Sequence, residues 1–361
     1  MSDRTVNGTE TTMTDATATR RSFIAQTAAT ALGGIACTSG GDTAPSTRVT
    51  GDVGGRPAVT AFDGPALQFD LPGVRVGCAT YPDGPTGCTV FRFDNDPLSV
   101  IDIRGGSAGT IAGSSFEDAR TAAICFAGGS VYGLEAASGV AAELFADSSY
   151  KDIKQVRGAI LWDFWRNNAL YPDKPLGQAA LKAARPGVFP LGRAGAGVSA
   201  GCAGEETGQG GAFRQIGKTK IAVFTIVNAA GVIVDRQGRV VCGNRDPKTG
   251  ERTHPLVQLE RRIGTQAPAP PQNRNTTLTL VVTNTRIGAG TDARAALQQL
   301  ARQVHSAMGR AIQPFHTASD GDVLFAVSTE AVEDPNLNAV DVGLIASELA
   351  WDAVLACLRR H

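Results

Sequence analysis

A proline-rich run, APAPPQNRN, stops at Asn275, and a β-branched apolar run, TTLTLVVTN, begins at once with Thr276 and Thr277. Proline fixes φ and removes a backbone donor, so residues 267–275 read as an extended loop. The Thr/Leu/Val run that follows reads as a buried strand. Such a junction matters because threonine makes a nucleophile when its own α-amine serves as the base. That amine has an ordinary pKa of about 7.7–8.0, close to working pH. An internal threonine has no such amine, so the bond before Thr276 must break first. Attack of the Thr276 hydroxyl on the Asn275 carbonyl would give an ester that water opens. A loose segment upstream and a rigid strand downstream suit that step. The same residues also fit a plain loop-to-strand junction.

The pattern around the junction points to an α+β fold. VRVGCATY and TGCTVFRF read as strands joined by the turn PDGP, and LSVIDIRGG as a third. Helical spacing runs through residues 116–147. Residues 217–241 read as strands and tight turns, and 243–275 as a long loop. A loop of that length in a compact domain is usually functional. After the junction come a strand over 277–284, a helix over 291–312, a strand over 323–329 and a helix over 338–359. The two helices keep Leu297, Leu300, Val304, Val342, Ile345 and Leu349 on their inner faces. Two sheets between helical layers are the expected architecture.

Charge narrows the partners. Lys+Arg and Asp+Glu each number 34, so no cation surplus exists to neutralise phosphates, and nucleic acid is not expected as a partner. The seven cysteines form no CxxC pair or Cys/His cluster, so no metal site is expected. Cys78 and Cys88 bracket a hairpin and are candidates for a bridge in an oxidising compartment. Arg20-Arg21 ahead of a weakly apolar Ala/Thr/Gly run resembles a twin-arginine export signal over residues 1–37. A low-complexity linker over 38–60 and a single domain over 61–361 follow. Cys37 is a poor match to a lipidation site.

Among polar candidates, the segment AGGSVYGLEA (127–136) lacks both nucleotide fingerprints. It reads instead as a tight turn into a helix lining the cleft, with Tyr132 and Glu135 as substrate contacts. His305 reads as a residue of a helix's polar face, His316 as a packed turn residue and His361 as terminal. None of them suggests a triad.

Longer motifs carry a resemblance. NTTLTLVVTN, HSAMGRAIQPFHTASDGDVLFAVST, YPDKPLGQAAL, FPLGRAGAGVSAG and TGQGGAFRQIG look like the nylon-oligomer hydrolases, the 6-aminohexanoate-oligomer endohydrolases. These fall within the wider family of self-processing D-aminopeptidases and β-aminopeptidases. The similarity runs from about residue 66 to 358. It implies an αββα sandwich resembling N-terminal-nucleophile hydrolases, with no cofactor. Thr276 is the implied nucleophile and Asn275–Thr276 the processing bond, giving fragments 61–275 and 276–361. Asn228 matches the asparagine that holds the substrate carbonyl or the nucleophile. Asp320 and Asp322 match an acidic pair beside the new amine. A tetramer of processed pairs and linear amides of ω-amino acids as substrates are also implied.

Two departures stand out. Trp162 replaces a tyrosine that shapes the oxyanion site, and Glu205 or Glu206 stands where the relatives carry a lysine. Other readings are an aminopeptidase for β- or D-residue N-termini, a threonine-nucleophile acyltransferase and an inactive binding protein.

Overall fold

The computed structural model describes residue 56 and residues 58–111, 120–166, 168–270, 274–288 and 292–359. The Arg20-Arg21 segment, Cys37 and His361 lie outside them. In chain order the main elements are β1 (Val74–Tyr81), β2 (Thr86–Phe93), β3 (Leu98–Ile103), β4 (Ala123–Ala127), α1 (Leu134–Asp147), β5 (Val156–Ile160) and α2 (Lys174–Lys182). Then follow β6 (Gln209–Ile216), β7 (Thr219–Asn228), α3 (Pro255–Gly264), β8 (Thr276–Thr285), α4 (Asp292–Ala307), β9 (Val323–Val332) and α5 (Ala339–Ala356).

Strands apolar on both faces must be covered on both faces, and that requirement sets the layering. One sheet runs β5-β4-β2-β1, with short strands Thr110–Ile111 and Arg185–Pro186 at its edges. The other runs β6-β7-β8-β9-β3. Their facing sides interlock through buried phenylalanines: Phe91 meets Phe224 at 5.2 Å between ring centroids, and Phe126 meets Phe325 at 6.1 Å. Helices α1 and α2 cover the outer face of the first sheet through Ala136, Val140, Leu176 and Ala180. Helices α4 and α5 cover the second through Leu297, Leu300, Val304, Leu349 and Ala353. The expected αββα sandwich is the fold.

Three local expectations differ. Residues 123–127 form a strand rather than part of a helix, because AICFA is buried on both faces and pairs parallel with β5 and antiparallel with β2. Alanines had imitated a helical stripe. The long segment 243–275 contains α3, started by Pro255 at its first turn and by His254, whose Nδ1 accepts from the Leu256 N–H at 3.2 Å. Cys78 and Cys88 are free thiols. In the β1–β2 register Cys78 faces Thr89 and Cys88 faces Ala79. Successive residues alternate sides, so Cys78 points between the sheets while Cys88 points toward α1 and α2.

Candidate active site

Strand β8 lies in the middle of its sheet, antiparallel to β7 and parallel to β9. Its first residue, Thr276, pairs with Asn228 at the end of β7. Alternation sends Thr276 to the side of Leu278, Leu280 and Val282, between the sheets, and Thr277 to the side of Val281, under α4. Thr276 is 4% exposed; the residue before it, Asn275, lines a cavity of about 590 Å³ together with Asn228 and Trp162. The Thr276 hydroxyl donates to the Asn275 carbonyl oxygen at 2.6 Å. The Gly321 N–H donates to the same oxygen at 2.8 Å. The hydroxyl expected to attack therefore lies against the bond expected to break.

The loop 315–322 brings the two carboxylates here. Asp322 is fully buried; its Oδ1 accepts from the Thr277 N–H at 2.7 Å. Its Oδ2 accepts from the His316 N–H at 3.1 Å and lies 3.0 Å from His316 Nδ1. Asp320 folds back on its own turn, accepting from the Thr317 N–H at 3.0 Å and hydroxyl at 2.6 Å. Burial, reinforced by the neighbouring Asp322 charge, raises the Asp320 pKa above the usual carboxylate range. Asp322 thus reaches the junction through its carboxylate, gripping Thr277, whereas Asp320 reaches it through its backbone bridge to Asn275.

His305 is buried, not on a polar surface. Its Nδ1 lies 2.9 Å from Asp102 Oδ2 on β3, a partner from a distant part of the chain that helix periodicity does not reveal. Its ring meets that of His316 edge-on at 4.4 Å between centroids. Burial outweighs Asp102 and lowers the His305 pKa. His316 is a site residue the sequence reading set aside. The signal available was its spacing, six residues ahead of Asp322 in one short loop.

Asn228 is committed at both ends of its amide. Its Oδ1 accepts from the Gly201 N–H at 3.0 Å and its Nδ2 donates to the Trp162 carbonyl at 2.9 Å. It ties three segments of the cavity wall together at the strand end facing Thr276. Trp162 and Trp165 give the cavity an aromatic wall, and Glu205 adds an acid. Glu205 carries its own cation: Arg252 donates to it at 2.6 and 2.7 Å, and the Gly243 N–H at 2.7 Å. The Arg252 pair holds the Glu205 pKa below its usual value. Tyr132 and Glu135 are not brought to the cavity; they lie by Tyr171, with Tyr132 63% exposed.

Next to Trp162, Asp163 is fully buried and accepts from the Thr86 hydroxyl at 2.7 Å and the Gly129 N–H at 2.8 Å. Burial pushes its pKa up to about 6 against those hydrogen bonds. The folded chain therefore holds a proton that the unfolded chain, titrating near roughly 3.9, has already released. Stability from this group is full below about pH 4 and is lost as pH rises through about 6, a loss on the order of 3 kcal/mol. Asp163→Asn should flatten that slope. Urea unfolding of the parent and Asp163→Asn at pH 4 and pH 7, both as single intact chains, would read the difference. Equal pH dependence would refute the assignment.

A double sheet between helical layers, with a hydroxyl residue at the head of a central strand, defines the N-terminal-nucleophile hydrolase class of fold. Solved structures agree. The β-aminopeptidase of a Burkholderia sp. superposes with a TM-score of 0.58 at 16% identity, covering 83% of this chain and 89% of that one. The L-aminopeptidase D-Ala-esterase/amidase of Ochrobactrum anthropi, described as a variant of the Ntn hydrolase fold, gives 0.58 at 17% identity, with 82% and 88% covered. In sequence, the 6-aminohexanoate-oligomer endohydrolase of Kocuria sp. (strain KY2) is 43% identical over 341 residues, 86% of this chain and 94% of that protein. Residues 68–358 match the model of peptidase family S58. The chain belongs to peptidase family S58 and is a hydrolase acting on amides.

Proposed function

We propose that the chain is a self-processed amidase whose nucleophile is Thr276, cleaving linear amide oligomers of ω-amino acids of the 6-aminohexanoate type. The observation that carries this reading is the Thr276 hydroxyl at 2.6 Å from the carbonyl oxygen of its own preceding residue. Attack there forms the Oγ–C bond and breaks the C–N bond, passing the hydroxyl proton on and returning one to the Thr276 nitrogen. Water opens the resulting ester, leaving an Asn275 carboxylate and a free threonine amine. That amine then serves as the base for substrate hydrolysis.

Substrate class is supported by the likeness to the Kocuria endohydrolase and by the cavity. Trp162 and Trp165 offer an apolar wall suited to polymethylene spacers, whereas Glu135, the acid an aminopeptidase reading would use to hold a free amine, stands away from it. The test is turnover of a short 6-aminohexanoate oligomer, with N-terminal sequencing of the smaller band on a denaturing gel. Threonine followed by TLTL and release of shorter oligomers are expected; hydrolysis by a chain that stays intact would sink the mechanism. The reading includes a homotetramer of processed pairs. Exposed Val340 and Leu344, one turn apart on α5, are apolar surface available to such an assembly. Light scattering showing one 37.3-kDa particle at micromolar concentration would refute it.

A further inference from the structure

The structure assigns the oxyanion donor of both reactions to a backbone group: we infer that the Gly321 N–H stabilises the carbonyl oxygen attacked by Thr276, first in self-cleavage and then in substrate hydrolysis. This rests on Thr276 being the nucleophile, as proposed above. Among the described residues, the Asn275 oxygen receives two hydrogen bonds, from the Thr276 hydroxyl at 2.6 Å and the Gly321 N–H at 2.8 Å. The hydroxyl gives up its proton as it attacks, so the Gly321 N–H is the donor left to the developing negative charge. Asn228 uses one N–H on the Trp162 carbonyl and its oxygen on the Gly201 N–H; no bond from it to the Asn275 oxygen is present among the described residues.

In a resting strand the same contact would be an ordinary ladder bond, since Asn275 and Asp320 form a parallel bridge that extends the β8–β9 pairing. What changes its meaning is which carbonyl it serves. An N–H aimed at the carbonyl beside a nucleophile, and held rigidly there before reaction, supplies stabilisation without reorganisation. The rigidity is built on both sides of the glycine. Asp320 is bound into its turn through Thr317, and its own carbonyl accepts from the Ser107 N–H at 2.8 Å. The Asp322 carbonyl accepts from the Arg104 and Gly105 N–H groups at 3.1 and 3.3 Å, and its carboxylate grips Thr277 and His316. Gly321 is thus clamped by two neighbours that are themselves fixed.

The position also requires glycine. A Cβ there would lie 2.6 Å from the Thr276 hydroxyl oxygen and 3.0 Å from the Ser107 carbonyl oxygen. Only a residue without a side chain lets the backbone approach the nucleophile this closely. When the bond is cut and Asn275 withdraws, the Thr276 oxygen and the Gly321 N–H stay in place. The carbonyl carbon of any substrate attacked by that oxygen takes the Asn275 position, and its oxygen faces the same N–H.

The deciding experiment is a crystal structure of the processed enzyme with 6-acetamidohexanal. The Thr276 hydroxyl adds to the aldehyde carbon, and its proton passes to the former carbonyl oxygen, giving a neutral hemiacetal. We expect that oxygen within about 3.2 Å of the Gly321 nitrogen. An adduct on Thr276 whose oxygen points elsewhere overturns this inference and leaves the nucleophile standing. No adduct on Thr276, in enzyme that turns over substrate, overturns both. Independently, Gly321→Ala keeps the N–H, but its Cβ would press on the Thr276 hydroxyl oxygen and shift the N–H off the carbonyl. It should therefore slow self-cleavage by about 10²-fold, the cost of a displacement of about 1 Å. Wild-type cleavage by a Gly321→Ala protein that melts like the processed parent at the same concentration would also overturn it.

Discussion

Thr276→Ala is expected to purify as one uncleaved chain with no measurable amide hydrolysis, because no hydroxyl remains to attack Asn275 or a substrate. Thr276→Ser should retain part of both activities, since hydroxyl and eventual amine survive. The neighbouring residue supplies the control. Thr277 points under α4, and its buried hydroxyl has no hydrogen-bond partner, so removing it leaves no group newly unpaired. Its useful contact is the N–H to Asp322, which alanine keeps. Thr277→Ala should therefore still be cut before residue 276. A denaturing gel with turnover of a 6-aminohexanoate oligomer decides the matter. Cleavage and activity in Thr276→Ala, with neither in Thr277→Ala, would move the nucleophile one residue along.

The second large effect belongs to Asp322. Asp322→Ala strips the acceptor from the Thr277 N–H and from the His316 N–H, both inside the structure. Each buried donor left unpaired costs about 1–3 kcal/mol. The strand head then loses its anchor, and a displacement of about 1 Å of a reacting group costs on the order of 10²-fold in rate. Self-cleavage slower by about that factor is expected in a chain that still folds. Asp322→Asn keeps an oxygen for the Thr277 N–H and should lie between. His316→Ala should fall short of Asp322→Ala, because the Thr277 contact survives it. A time course of fragment appearance after rapid refolding measures all three. Asp322→Ala cleaving as fast as the parent would remove Asp322 from the site.

What the sequence disclosed about this site follows from what leaves a mark on a one-dimensional pattern. The strand opening at Thr276 is visible because a proline run and a β-branched run meet there, and period-two alternation then separates Thr276 from Thr277. Asp320 and Asp322 are visible as an acidic pair around a glycine, although the pattern gives no hint that Asp322 grips Thr277 rather than the nucleophile itself. Asn228 is legible as a strand-end amide, but not its bridging of Gly201 and Trp162. Groups supplied by distant segments leave no such mark. His305 looks polar on its helix until Asp102, on another element, is placed beside it. Tyr132 and Glu135 follow a glycine turn that resembles a cleft rim, yet the turn delivers them to Tyr171. Gly321 acts through a backbone N–H that every residue but proline possesses, so only the fold distinguishes it.

If the chain cuts itself before Thr276, as proposed, the sheet order has a consequence for the timing of that cut. Strands β8 and β9 lie between β7 and β3, so a break before Thr276 leaves one sheet woven from two polypeptides, the short one filling its middle. If the pieces separated, β7 and β3 would each lose a neighbour, and α4 and α5 would depart with the core residues they contribute. Before scission, unfolding is a unimolecular event. Afterwards it releases two partners that must find each other again, so recovery from denaturant becomes second order and the melting temperature rises with protein concentration. On the proposed mechanism the chain finishes folding while still whole, because the contacts that aim the hydroxyl at its own backbone exist only in the finished sheet.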